Sequence, residues 1–203
     1  MRFVPPAASD PYYEVHLFET GRVQTRRGNP HDLFNALCWL AFPRTKARIN
    51  ALHAAEIPRE GGRRGRLRDL LTIFDEGGAL VACADAALIA LVREFRWKAL
   101  FWEQRQRVLE AMRFVVLGHA TLEQALAPRP GITCKALFID PARDADAQAA
   151  AWLESLPAGA SPQLLAPLPV FGYPGWLPDG ERGEFYDDAR FFRLSAGKQA
   201  RHA

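Results

Sequence analysis

The sequence predicts an α+β fold that is mostly helical, with a small antiparallel sheet and an extended, proline-rich C-terminal segment. Several long stretches repeat apolar residues at every third or fourth position, as amphipathic helices do. Two shorter apolar runs, at residues 71–74 and 79–83, flank Asp75-Glu-Gly-Gly78, which is a turn signal, and they predict a hairpin. Residues 132–139 alternate well enough to form a third strand beside it.

Length and composition indicate one globular domain. The chain has 203 residues, of which 49% are hydrophobic, so it can bury a substantial core. We expect the domain to span residues 1–195. Within it, residues 1–28 form an irregular N-terminal arm, and residues 157–195 form a segment that wraps the core through its aromatic side chains. Residues 196–203 are predicted to be a disordered tail.

The first predicted helix begins at Asn29, which can cap it. Pro30 suits the first helical position because its missing N–H would be unpaired there, and Asp32 favours the positive end of the helix dipole. One face of this helix carries regularly spaced apolar residues, so we predict that this face is buried in the core. Those residues are Leu33, Phe34, Leu37, Leu40 and Ala41.

Two lines of polar side chains suggest a cleft beside this core. His31, Asn35 and Cys38 follow each other at helical spacing along the first helix. Phe42-Pro43 ends that helix, and residues 44–57 form a second one in which Lys46, Asn50 and His53 repeat the spacing. His53 lies near the end of its helix and is predicted to be a surface residue.

The following elements are predicted from the same periodicity. Residues 84–95 and 144–156 form short helices, and the aromatics of residues 97–102 anchor the core. Residues 103–126 form a long central helix that contains Gly118. A glycine destabilises the interior of a helix, so its presence predicts that space is needed there, either for a close helix crossing or for a ligand beside His119. Glu123, four residues later, shares the face of His119.

Seven short motifs together resemble one known family. They are Asn29-Pro-His-Asp-Leu-Phe-Asn35, Trp39-Leu-Ala-Phe-Pro43, Lys46, Arg68-Asp69, Phe74-Asp-Glu-Gly77, Gly118-His-Ala120 and Pro174-Gly-Trp176. In this combination the chain resembles the bacterial family catalogued as domain of unknown function 3025, over nearly its whole length. The resemblance implies membership and brings no activity with it, so the function has to be argued from the residues.

Cysteine usage and hydropathy indicate a cytoplasmic protein. Cys38, Cys83 and Cys134 are odd in number and widely separated, which predicts neither disulfides nor a thiolate zinc site. No secretory leader is recognisable, and charged residues interrupt the longest apolar stretches. We therefore expect no membrane partner.

Charge is distributed unevenly along the chain. Residues 1–68 carry 12 Lys and Arg against 6 Asp and Glu, whereas residues 69–203 carry 14 against 17. Much of the excess lies in a glycine-rich loop that could bind RNA or another polyanion. The candidate residues are Arg59, Arg63, Arg64, Arg66 and Arg68. An ordinary solvated loop is the competing interpretation, since no aromatic residues are interleaved.

Our leading functional hypothesis is a metal-assisted hydrolase. His31 and His119, with one or more carboxylates, would hold a divalent ion such as zinc that activates water. The candidate carboxylates are Asp32, Asp75, Glu76 and Glu123. Each also has an ordinary interpretation: Asp32 can be a helix cap, and Asp75 and Glu76 can be turn residues.

Two alternatives belong to other classes. In a metal-independent enzyme, His31 or His119 is a general base while Asn35, Lys46 and Asn50 bind an oxygen-rich substrate. In a binding module for RNA, ribosome or protein, the arginine loop makes the contacts and the polar lines only satisfy buried hydrogen bonds. The sequence does not establish whether His31 and His119 converge in space.

Overall fold

A computed structural model gives the structure of residues 1–7, 10, 12–61 and 64–193. Arg63 of the predicted polyanion loop and the predicted tail at 196–203 lie outside these residues. The structure confirms the α+β class, with helices predominating over two small sheets. In the part of the chain that it describes, no helix is long and apolar enough to cross a membrane.

Eight α-helices are named here in chain order. They are α1 (Tyr13–Thr20), α2 (Pro30–Ala41), α3 (Pro43–Glu56), α4 (Arg66–Gly77), α5 (Ala86–Arg93), α6 (Arg105–Ala111), α7 (His119–Gln124) and α8 (Ala145–Glu154). The strands are β1 (Arg2–Val4), β2 (Arg22–Gln24), β3 (Gly78–Ala82), β4 (Arg113–Val116), β5 (Thr133–Ile139) and β6 (Ala166–Pro169). Short 3-10 turns make up much of the chain after β6.

The larger sheet separates two apolar layers. Its strand order is β4-β3-β5-β6, with β3 parallel to β5 and the other two pairings antiparallel, so it is a mixed sheet. Side chains alternate along β3: Ala79 and Val81 face one layer and Leu80 faces the other. The first layer includes Phe171, Phe185 and other residues of the C-terminal segment, and α3, α4 and α8 supply half of the second. The smaller sheet pairs β1 with β2 in parallel.

Two predicted elements are wrong. The predicted hairpin strand at 71–74 belongs to helix α4, in which Leu67, Leu70, Leu71 and Phe74 repeat at helical spacing and pack into the core. The predicted hairpin tip, Asp75 and Glu76, is therefore the last turn of a helix. The predicted long helix at 103–126 is instead α6, β4 and α7, because the apolar run at 112–117 is short enough to pair as a strand.

The structure also overturns the predicted core face of α2. The side chains buried under α2 are Asp32, Asn35, Cys38 and Trp39. The stripe that was predicted to be core is turned outward, with Leu33 55%, Leu37 46% and Leu40 62% exposed. The start of α2 is confirmed, since the Asn29 side chain accepts a hydrogen bond from the backbone N–H of Asp32.

The N-terminal region is more regular than predicted. Residues 1–28 contain a helix, α1, in addition to two short strands.

Helix α3 is held at its first turn by a residue far along the chain. Phe42, which precedes it, offers no side-chain cap. Instead, the Asp146 carboxylate on α8 accepts hydrogen bonds from the backbone N–H groups of Arg44 at 2.9 Å and Thr45 at 2.8 Å. A carboxylate suits this position because the N-terminal end of a helix is electropositive. This cap fixes α3, which carries Lys46, Asn50 and His53, against α8.

Candidate active site

His31 and His119 meet at the junction of α2 and α7. Their Nε2 atoms lie 3.1 Å apart, and their ring centroids are 4.6 Å apart in an edge-on arrangement. Both are first-turn residues, since His31 is the second residue of α2 and His119 is the first of α7. His31 and His119 therefore do converge in space, which the sequence alone did not establish. His119 begins a short helix instead of lying within a long one.

The outer nitrogen of each ring contacts an acceptor. His119 Nδ1 lies 2.8 Å from the backbone carbonyl oxygen of Asp75, and His31 Nδ1 lies 2.8 Å from Oε2 of Glu123. A carbonyl oxygen only accepts, so His119 carries its proton on Nδ1. Burial lowers the pKa of His119 to about 4, so the ring is neutral at pH 7 and its Nε2 is an acceptor for His31 Nε2–H.

With His119 as an acceptor, His31 has an acceptor beside each of its two ring nitrogens, whereas a neutral imidazole carries only one ring proton. His31 donates from Nε2 to His119, yet its Nδ1 also faces a carboxylate oxygen. Both contacts are hydrogen bonds only if His31 is doubly protonated or if Glu123 carries the proton. We call the unit Glu123–His31–His119 the histidine relay, and with both contacts formed as hydrogen bonds it would carry a proton that can pass between Glu123 and His31. His31 is the accessible member of the imidazole pair, since its side chain is 37% exposed against 7% for His119.

A buried ion pair lies behind the relay. Lys46 Nζ is 2.5 Å from Oδ1 of Asp75 and 2.8 Å from Oδ1 of Asn35, and the Lys46 side chain is only 3% exposed. Asn35 Nδ2 donates in turn to the Tyr13 hydroxyl at 3.1 Å. Burial is the largest single influence and raises the pKa of Asp75, but the opposing influences, of which the Lys46 ammonium is the strongest, together leave that pKa below its usual value. Asp75 thus binds Lys46 with its carboxylate and His119 with its backbone.

A second polar cluster surrounds Arg68. Arg68 Nε donates to His53 Nδ1 at 3.1 Å, and its other nitrogens bind Glu60 at 2.8 Å and the Tyr12 hydroxyl at 3.0 Å. The prediction that His53 is a surface residue is wrong, because it is 2% exposed. Burial, reinforced by the Arg68 charge, lowers the pKa of His53 to about 4.

The two polar clusters line one cleft with a volume of about 530 Å³. Groups that can donate or accept hydrogen bonds dominate its lining. They include Tyr12, Tyr13, Glu14, Gln24, Asn35, His53, Thr72, Glu76 and both histidines of the relay. Burial raises the pKa of Tyr13 to about 12 and raises that of Glu14, so Tyr13 stays protonated at neutral pH. A cleft of this size and lining suits a small polar ligand.

Most of the candidate metal carboxylates are engaged elsewhere. Asp32 accepts three hydrogen bonds from Arg26, which lower its pKa. Glu123 binds the Nδ1 side of His31, and Asp75 lies on the Nδ1 side of His119, away from the point where the Nε2 atoms meet. Glu76 is exposed at the cleft. Among the described residues, no three His, Cys, Asp or Glu side chains are grouped to hold a metal ion.

The other candidate residues are also placed. Asn50 Nδ2 donates to the carboxylate and the backbone carbonyl of Glu14, each at 2.8 Å, so it positions α1 on α3. In the arginine loop, Arg59, Arg64 and Arg68 pair with Glu56, Asp69 and Glu60. Arg66 is exposed. These three arginines therefore lie beside carboxylates, which reduce the positive charge available for binding a polyanion.

Sequence reasoning missed the residues that α1 contributes. Tyr12, Tyr13 and Glu14 all line the cleft, whereas the N-terminal region was predicted to be an irregular arm. Short elements flanked by prolines give a weak periodic signal, and α1 has only eight residues. The sequence does place three hydrogen-bonding side chains next to each other here, two tyrosines and a glutamate, and this is the signal that could have indicated a site.

The two buried histidines make stability depend on pH. Their folded pKa values of about 4 lie below the ordinary 6.5, so the unfolded chain takes up protons first as the pH falls. The free energy of unfolding should therefore decrease between pH 6.5 and about 4. Calorimetry at several pH values should show this decrease, and His53→Asn should make it shallower. Equal slopes for the two proteins over that range would contradict the neutral, buried state of His53.

Comparison with known proteins places the chain in a family without a known activity. The model of the family described as "Protein of unknown function (DUF3025)" matches residues 1–195. No curated protein and no solved structure matches the chain.

Proposed function

The chain belongs to the family of proteins of unknown function DUF3025, and we propose that it is a metal-independent acid–base enzyme of the hydrolase type. In this proposal His31 exchanges a proton with a small, oxygen-rich substrate in the cleft. The observation that carries the proposal is the histidine relay, in which Glu123 and His119 hold the His31 ring from both nitrogens at the edge of a polar cleft.

His31 suits the role of the proton-exchanging group. An imidazole is the side chain whose ordinary pKa lies closest to neutral pH, so it can both give and take a proton there. Glu123 fixes the ring through Nδ1, which leaves Nε2 for the reaction. The 3.1 Å contact to His119 is a weak bond that a substrate hydroxyl or water can replace.

His119 and the buried pair behind it act as positioning residues. His119 is held by the Asp75 carbonyl, and Asp75 is held by Lys46 and therefore by α3. A ring whose pKa is about 4 is a poor general base at neutral pH, since efficient bases have pKa values near the working pH. His119 Nε2 instead presents a fixed acceptor that keeps the proton of His31 on Nε2 when the cleft is empty.

The accessible groups of the cleft favour a neutral or weakly charged substrate with several hydroxyl or carbonyl groups. Arg26 and Arg68, which also line the cleft, are engaged by Asp32 and Glu60. The hydroxyls of Tyr12 and Tyr13 accept hydrogen bonds from Arg68 and Asn35, and each can still donate its own proton to an oxygen atom of a substrate. The Lys46 ammonium is screened from the cleft by Asp75 and Asn35, so it organises the floor instead of contacting the substrate.

A panel of chromogenic carboxylic and phosphoric esters, assayed with and without chelator, tests this proposal. His31→Gln should lower kcat/KM by about 10²–10⁴-fold, the usual contribution of a general acid–base group. Glu123→Gln should shift the pH profile, because it changes the proton inventory of the relay. Glu19→Gln, an exposed substitution on α1, is the matched control and should leave the rate unchanged. Full activity of His31→Gln on a substrate that the wild type turns over would refute the role of His31.

One observation favours a second candidate, a divalent metal between the two rings. Two nitrogen ligands at ~2.0–2.1 Å from one zinc ion are separated by little more than the 3.1 Å seen between the Nε2 atoms. Both Nδ1 atoms also contact acceptors, as metal-bound histidines usually do. Catalytic zinc normally has three protein ligands, and only two converge among the residues that the structure describes. Stoichiometric zinc in the purified protein, lost in His31→Gln, would favour this candidate over the metal-independent one.

A further inference from the structure

Two contacts between α3 and α4 mark two ends of the cleft. Lys46 of α3 binds Asp75 of α4 at one end, and His53 of α3 accepts a hydrogen bond from Arg68 of α4 at the other. The two contacts are seven positions apart on each helix, which corresponds to about 10 Å along a helix axis. The histidine relay lies at the Asp75 end, because His119 contacts the Asp75 carbonyl. The activity proposed above makes no use of the Arg68 end.

Arg68 fixes both the orientation of the His53 ring and the position of its proton. A guanidinium only donates, so His53 Nδ1, which lies 3.1 Å from Arg68 Nε, is an acceptor that carries no proton. Burial and the Arg68 charge keep the ring neutral at pH 7, so its proton is on Nε2. His53 lines the cleft, and no acceptor among the described residues binds Nε2. The Nε2–H group is therefore a donor for a molecule bound in the cleft.

Tyr12 supplies a second donor beside the same guanidinium. Its hydroxyl accepts a hydrogen bond from Arg68 Nη2 at 3.0 Å, which leaves its own O–H free to donate. Tyr12 also lines the cleft and is 59% exposed. We call Arg68, His53 and Tyr12 the Arg68 subsite. Because Nε and Nη2 belong to one planar group, the subsite holds an N–H and an O–H donor in fixed positions, and such a pair suits an acceptor oxygen of a ligand.

We propose that the Arg68 subsite binds an uncharged carbonyl oxygen, such as that of an amide, at the end of the substrate remote from the relay. The ligand group has to be an acceptor because both groups offered to it are donors. An anionic group suits the subsite less, since Arg64 and Arg68 are already paired with Asp69 and Glu60. The exposed Glu76 carboxylate lines the same cleft and would repel an anion.

The substrate class follows from the length of the cleft, and this step rests on the function proposed above. One end of the substrate carries the bond on which His31 acts. The other end presents a carbonyl oxygen at roughly 10 Å from that bond, which is the separation of the two contacts between α3 and α4. The substrate is therefore an elongated molecule with polar groups at both ends, and the Arg68 subsite determines specificity for the end that does not react.

NMR titration of the full chain tests the subsite without requiring turnover. Acetamide and acetate have nearly the same shape but differ in charge, so acetamide should shift the ring nitrogen resonances of His53 at lower concentrations than acetate. Tyr12→Phe removes one neutral donor at an exposed residue and should weaken acetamide binding by about two- to tenfold. Tyr173→Phe is the matched control and should leave binding unchanged, because the Tyr173 hydroxyl donates to the Met112 carbonyl and packs against the other apolar layer. Tighter binding of acetate, no response of His53 to either probe up to its solubility limit, or unchanged affinity in Tyr12→Phe would overturn the subsite.

A second measurement separates the subsite from the proposed activity. His31→Gln should bind acetamide as the wild type does, since His31 lies at the other end of the cleft. Chromogenic esters whose acyl chains end in a primary amide are then compared with esters that end in an alkyl group of equal length. The preference for the amide, as a ratio of kcat/KM values, should be largest when the chain places it about 10 Å from the ester, and Tyr12→Phe should lower this ratio by about two- to tenfold. Acetamide binding without turnover of any ester would support the subsite and contradict the hydrolase activity. Turnover without an amide preference at any chain length would overturn the assigned substrate class.

Discussion

Lys46→Met should lower the free energy of unfolding by about 3–5 kcal/mol, because it leaves the Asp75 carboxylate buried without its cation. The Lys46 side chain is 3% exposed and that of Asp75 is 19% exposed, so water can replace the lost ammonium only in part. For a domain of this size the melting temperature should fall by roughly 6–20 °C. Thermal and urea unfolding of the two proteins at pH 7 provide the measurement.

A matched control separates burial from charge in this experiment. Lys98 and Asp187 form an ion pair of the same length, 2.5 Å, but their side chains are 41% and 59% exposed. Lys98→Met should therefore leave the melting temperature close to that of the wild type. Similar melting temperatures for the two variants would show that the Lys46 pair contributes no more than a surface ion pair.

The pH dependence gives a second readout of the Lys46 variant. In the wild type, Lys46 holds the pKa of Asp75 below its usual value, so its stabilisation is lost only as the pH falls through that lowered value. In Lys46→Met the buried, unpaired Asp75 should have a raised pKa, and the folded state should take up a proton as the pH falls. The difference in stability between the two proteins should therefore narrow on acidification. A constant difference would indicate a packing defect alone.

Gly118→Ala should destabilise the fold beside the relay through the addition of a single methyl group. A Cβ atom at Gly118 would lie 2.5 Å from the carbonyl oxygen of Glu76 and 2.6 Å from Cα of Gly77, and both are backbone atoms that cannot rotate aside. Overpacking of this kind costs about 1–3 kcal/mol. Relief of the clash has to separate α7 from the end of α4, which moves His119 away from the Asp75 carbonyl.

Gly118→Ala is measured against Gly61→Ala, for which no atom lies within 4 Å of the added Cβ. Gly61→Ala should have the melting temperature of the wild type. Gly118→Ala should have a lower melting temperature and should change the imidazole NMR resonances of His31 and His119. If Gly118→Ala melted at the wild-type temperature, the contact between α4 and α7 would not be close.

Part of this arrangement could be read from the sequence. Asn29, Pro30 and Asp32 predict the start of α2 because capping depends on local hydrogen bonds. The need for space at Gly118 was also predictable, since a glycine beside a histidine indicates a close approach of some kind. The close approach proves to be that of α7 to the backbone of α4.

The orientation of α2 could not be predicted, because apolar periodicity identifies a face and not what covers it. The rule that leucines point inward fails here since α2 turns Asn35 towards the buried Lys46 and Asp75. The strand at 113–116 was hidden for a related reason: its apolar residues continue the spacing of the helices on either side. Only pairing with β3, which comes from a distant part of the chain, decides its conformation.

The convergence of His31 and His119 depends on the same long-range contacts. The two residues are separated by 88 positions, and they meet because α7 packs on the first turn of α2. Local sequence carries no information on such a crossing. Glu123 was predicted as a metal ligand because it shares a face with His119, yet it reaches His31 instead.

The central claim is that the histidine relay holds a transferable proton between Glu123 and His31, and long-range proton–nitrogen NMR of the imidazole rings tests it most directly. In metal-free protein at pH 7, we predict that His119 is neutral with its proton on Nδ1 and that His31 shows protons on both nitrogens or shares one with Glu123. Glu123→Gln should change the His31 signals and leave the tautomer of His119 unaltered. A proton on Nε2 of His119, or a His31 ring that does not respond to Glu123→Gln, would contradict the account.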